Sequence, residues 1–140
     1  MRNTAILAAV SIALGLCVFA YLTFFRPIDQ PTRALRELEA HLVASGIPGH
    51  IYPVRHGYFH SRMHAAAAFE IDGYPLPLAL LDCATEQEAA VFSAGKDTLP
   101  PELRPARNGT LVLDFPSWGD DTFPQADRAR KAFLSFRREP

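Results

Sequence analysis

Bracketed by Arg2 and Arg26 lies an uncharged and almost wholly apolar run of 22 residues, TAILAAVSIALGLCVFAYLTFF, residues 4–25. Wound as an α-helix this stretch is about 33 Å long, against roughly 30 Å for the hydrocarbon core of a bilayer. A helix of that length packed in a small domain keeps a polar face, and this one has none. Residues 1–26 are therefore expected to form an N-terminal membrane anchor, an uncleaved signal-anchor that contacts the lipid bilayer through residues 4–25.

The same stretch also has the layout of a cleaved export signal: Arg2, an apolar region from Ile6 to Val18, and a small-residue cleavage site ending at Ala20. Cleavage there would leave the apolar sequence Tyr21-Leu-Thr-Phe-Phe as a new terminus, so the anchor is preferred. Lipid attachment at Cys17 is disfavoured because Leu16 stands where such sites take a small residue. Arg26, Arg33 and Arg36 outnumber Arg2 and formally place the C-terminal side in the cytoplasm. The short basic start is instead that of an export signal. The expected location is a bacterial inner (plasma) membrane, crossed once, with an extracytoplasmic, periplasmic C-terminal domain.

Residues 27–32 read as a linker and 33–140 as a single domain, since a chain of 140 residues has room for one core beside the anchor. Arg2 and Arg26 belong to the anchor, which leaves 12 basic residues against 15 acidic ones and a net charge of −3. That balance lacks the clustered positive excess of a nucleic-acid binder. Cys17 lies in the anchor and Cys83 is the only cysteine of the domain, so no disulfide can form within it.

Leu35, Leu38 and Leu42 recur on one face of a helix over residues 33–45, with Pro31 before it and Gly46 after it. His41 falls off that stripe and reads as a solvated rim residue. Ile47 to Arg55 form a short strand that Pro53 confines to an edge. Beyond it the alternation sharpens: Met63, Ala65, Ala67, Phe69 and Ile71 fall on one face, and His64, Ala66, Ala68 and Glu70 on the other. Helical spacing would mix Glu70 into the apolar set, so residues 63–71 are read as a strand despite four alanines.

Asp72-Gly73 turns the chain into a returning strand, Leu76 to Leu81, apolar on both faces. Thr85-Glu-Gln-Glu88 is a reciprocal capping box that opens a helix ending at Gly95, with Ala89, Phe92 and Val91 toward the core. Residues 96–107 are proline-rich and charged and read as a loop. Asn108-Gly109 leads into a strand from Thr110 to Phe115, and a last helix from Pro124 to Phe136 carries Ala126, Ala129, Phe133 and Phe136 on one face. Asn108-Gly-Thr110 also matches a glycosylation acceptor, but a turn before a strand accounts for it.

The fold class expected is α+β: the transmembrane helix, then about four mostly antiparallel strands with three helices packed on one face, in the order α-βββ-α-β-α.

Chemistry is sparse. The chain has no glycine-rich phosphate loop, no CxxC, no HExxH and no GxSxG. Asp114, Asp120 and Asp121 flank the only tryptophan, yet carboxylates ahead of a helix more commonly stabilise its N-terminus. The histidines are the one chemical cluster: His56, His60 and His64 stand four apart, with His50 and His41 upstream. In a hairpin that sets His56 against His60, His50 opposes Ala66 and Tyr52 opposes His64. At ~3.3 Å per residue His60 and His64 lie about 13 Å apart, so no single ion reaches all of them. His56 and His60 alone could hold one copper or zinc ion weakly.

The function expected is therefore that of a non-catalytic interaction or accessory module at the membrane. It carries no cofactor, and its partner is another membrane or periplasmic protein. The alternative is a periplasmic copper/zinc-binding protein that uses His56 and His60.

Overall fold

A computed structural model describes residues 2–24, 30–54, 63–74, 76–115 and 126–138, with side chains for all of these except 2–9, 22–24, 63 and 64. In chain order the elements are α1 (Arg2–Phe24), α2 (Arg33–Ala44), β1 (Gly49–Pro53), β2 (Met63–Ile71) and β3 (Leu78–Cys83). There follow α3 (Glu86–Ala94), a 3₁₀ turn (Pro101–Leu103), β4 (Ala106–Asn108), β5 (Leu111–Asp114) and α4 (Ala126–Ser135).

The strands form one antiparallel sheet in the order β1-β2-β3-β5-β4. The α+β class and the β1–β2–β3 meander stand. Two details of the expected domain do not. Among the described residues the sheet has five strands, not four, because Ala106–Asn108, read as the end of a loop and the start of a turn, pairs with β5. The helices also lie on both faces. Leu35, Leu38 and Leu42 of α2 and Ala129 and Phe133 of α4 share one core with Ala65, Ala67, Phe69, Leu80 and Leu113. Ala89 and Phe92 of α3 join Ala66, Ala68, Ala79, Leu81 and Val112 in another. The reason is visible in β3, buried at all six positions: a central strand apolar on both sides needs cover on both sides.

The expectation of a membrane-spanning helix is also overturned: among the described residues no helix is long and apolar enough to cross a membrane. The side chains described in α1 are those of residues 10–21. The signal-anchor reading and the single-pass inner-membrane, periplasmic placement rested on that span and are withdrawn with it.

Local chemistry explains where the elements begin and end. Thr32 caps α2 by accepting the Leu35 amide at 3.3 Å. At the other end Gly46 takes φ +80°, the Ile47 amide reaches back to the Leu42 carbonyl at 3.1 Å, and the Gly46 amide bonds the Val43 carbonyl at 2.9 Å. That paired closure, with Leu42 and Ile47 both fully buried beside it, is a Schellman ending. The capping box of α3 forms as expected: Thr85 accepts the Glu88 amide at 3.1 Å and Glu88 accepts the Ala84 amide at 3.2 Å. Val91 points outward, 61% exposed, so only Ala89 and Phe92 of the expected trio face the core.

Candidate functional site

Parity along β2 is as the alternation requires, but the β1–β2 register is not the one expected. His50 opposes Glu70 and Tyr52 opposes Ala68, four residues away from the pairing with Ala66 and His64. His64 falls where the β2–β3 register shifts between Met63 and Ala65. A four-residue slip leaves every side chain on its own face, which is why alternation alone does not exclude it.

His56 and His60, the candidate metal ligands, lie outside the described residues. Among the described residues no group of three or more His, Cys, Asp or Glu side chains is placed to hold a metal ion. His50 is exposed, with its Nε2 3.9 Å from Glu70 Oε2 and its ring 6.4 Å from that of Tyr52. His41 is not a solvated rim residue. Its Nε2 donates to the Ala132 carbonyl at 2.9 Å, lies 3.0 Å from Ser135 Oγ, and its ring sits 5.5 Å from that of Phe136. It joins α2 to the last turn of α4.

The other polar groups singled out by the sequence also serve the fold. Asn108 Nδ2, the atom a glycan would occupy, donates to the carbonyls of Phe133 at 3.0 Å and Phe136 at 2.9 Å. It thereby adds a side-chain partner at the end of α4, where the Phe133 carbonyl also accepts the Phe136 amide at 3.2 Å. Cys83 is buried, and desolvation, with Glu88 and Asp82 nearby, pushes its thiol up to about 11. The reactive thiolate is thus scarce at neutral pH.

Asp82 went unnoticed in the sequence because a single acid in an apolar strand has no periodicity to betray it. It is buried, and it accepts Thr32 Oγ1 at 2.8 Å, Thr110 Oγ1 at 3.3 Å and Arg138 Nη2 at 3.3 Å.

Asp114 differs from these groups. It ends β5 on the α3 side, only 9% exposed, with Oδ2 paired to Lys96 from the segment after α3. Lys96 Nζ also lies 5.1 Å from the centre of the Phe92 ring. No donor among the described residues reaches the buried Oδ1. Burial raises the Asp114 carboxyl above its ordinary range, with Lys96 and the nearby Phe115 amide pulling the other way. Asp120 and Asp121, the other two carboxylates of that segment, lie outside the described residues.

Among the described residues most of the exposed large apolar side chains belong to α1. Val10, Ile12, Leu14, Leu16, Val18, Phe19 and Tyr21 are each between 51% and 67% exposed. At about 100° per residue these positions fall on two opposite sides of the helix, Val10, Leu14, Val18 and Tyr21 on one and Ile12, Leu16 and Phe19 on the other, rather than on one stripe.

Comparison with known protein families, with curated proteins and with solved structures finds no match to this chain.

Proposed function

We propose that this chain is a non-catalytic interaction module in which α1 is the docking element and another protein is the partner. The observation that carries the reading is the set of seven large apolar side chains on α1, each more than half exposed. A helix apolar on opposite sides is one that becomes surrounded, and contiguous apolar surface of this kind marks an interaction site. The rest of the domain supports the division of labour. Its two cores are closed by α2, α4 and α3, and His41, Asn108 and Asp82 are engaged in holding those elements together.

The copper/zinc alternative gains nothing from the described histidines. His41 is committed to α4, and His50 faces a single exposed carboxylate.

The test is sedimentation of the full chain in plain aqueous buffer beside a variant carrying Leu14→Ser, Leu16→Ser and Phe19→Ser. The parent is expected to assemble through α1, and the variant to sediment as a monomer with an unchanged circular dichroism spectrum in the domain region. An assembly that the triple variant retains, or one that lipid or detergent disperses when no protein partner does, would overturn the reading.

A further inference from the structure

Among the described residues the sheet has two edges, β1 and β4. β4 is three residues long, too short to template a further strand. β1 is longer, and its geometry can be read from its neighbours. The Asp72 amide bonds the Pro48 carbonyl at 3.0 Å, and the ladder continues with His50 opposite Glu70 and Tyr52 opposite Ala68. In an antiparallel pair alternate residues turn their backbone groups to the same neighbour. Pro48, His50 and Tyr52 therefore face β2, and Gly49, Ile51 and Pro53 face away from the sheet.

Of those three outward residues, Pro53 has no N–H to offer. The Ile51 amide donates to Glu39 Oε1 of α2 at 2.7 Å, a charge-assisted bond between elements twelve positions apart. We propose that Glu39 is a gatekeeper of the β1 edge: its carboxylate occupies the amide that would otherwise pair with β1 of a second copy of this chain.

A second copy is the natural occupant because the outward groups are self-complementary about Ile51. An antiparallel pair centred there sets Ile51 against Ile51 and Gly49 against Pro53. Such a ladder holds two bonds from the Ile51 amides and two from the Gly49 amides to Pro53 carbonyls, since Pro53 itself donates none. Glu39 removes both central bonds. It also brings two like charges together on the twofold axis, which opposes the same pairing. A charge placed at an edge and a proline within it are two means by which sheets avoid edge-to-edge association.

The experiment uses the full chain with Cys17→Ser; Cys83 remains, buried and protonated. One preparation carries His50→Cys and another Tyr52→Cys, because these positions oppose each other in the Ile51-centred register and in no register displaced from it. The two are mixed and treated with a short bismaleimide, so that association through α1 contributes equally to every sample. Adding Glu39→Ala to both is expected to raise the mixed 50–52 cross-link roughly tenfold, the gain of two recovered backbone hydrogen bonds. Glu39→Gln, which keeps an acceptor, should stay near the parent, and Pro53→Val in the Glu39→Ala background should raise the yield further. An unchanged yield in Glu39→Ala, or an increase shared equally by 50–50 and 52–52 links, would overturn the proposal. So would an Ile51 amide in the unaltered chain that exchanges with solvent as fast as loop amides, a measurement that needs no variant to fold.

Discussion

Thr32 Oγ1 donates to Asp82 Oδ2 across 2.8 Å while it accepts the Leu35 amide, so one hydroxyl both caps α2 and partners a buried carboxylate 50 residues away. Thr32→Ala removes a cap and leaves a buried oxygen with one partner fewer. It is expected to cost about 1–3 kcal/mol, more than the roughly 1 kcal/mol of Thr85→Ala, whose cap is solvent-exposed and holds no second group. Urea melts of the two variants, compared with the parent, check the order.

Asp114 supplies a pH dependence whose sign follows from burial. With its folded pKa raised above the unfolded one, the folded chain keeps a proton in a window where the unfolded chain has released it. Acid therefore favours the fold at this site: the contribution grows as pH falls through the folded pKa and is complete below the unfolded one. Asp114→Asn removes it. The stability of the parent relative to that variant should rise between neutral pH and about pH 4. A relative stability that falls on acidification would mean that the Lys96 pair outweighs desolvation.

Asn108 holds the end of α4 through two bonds from Nδ2, to Phe133 and Phe136. Asn108→Ala should cost about 1–3 kcal/mol in denaturant melts, and the loss should fall first on amide protection in α4. With Nδ2 committed, the Asn108-Gly-Thr110 sequence should stay unmodified in a glycosylating host. An intact mass equal to the sequence mass checks this.

The two cysteines should differ sharply in reactivity. Cys17 is exposed on α1, whereas Cys83 is buried with its thiol raised to about 11. Maleimide at neutral pH is expected to label Cys17 alone in the folded Leu14→Ser, Leu16→Ser, Phe19→Ser variant, whose α1 stays unassembled, and both cysteines after denaturation, as peptide mass spectrometry would show.

What the sequence by itself determined were the features set by local spacing. The α2 leucine stripe, the odd-numbered face of β2, the Thr85–Glu88 capping box and the apolar face of α4 all follow from a period of 3.6 or 2, or from a cap within four residues. What only the tertiary structure decided were matters on which local spacing is silent. Alternation fixes which face Tyr52 and Ala68 occupy but not that they are partners, because any even slip preserves it. The three residues of β4 are too few to show a period, and pairing with β5 alone makes them a strand. The sides taken by the helices depend on the double burial of β3, and the roles of Asp82, His41 and Glu39 depend on partners 50, 91 and 12 positions distant. The uncharged run of residues 4–25 was legible as apolar from the first, but composition does not say what surrounds a helix.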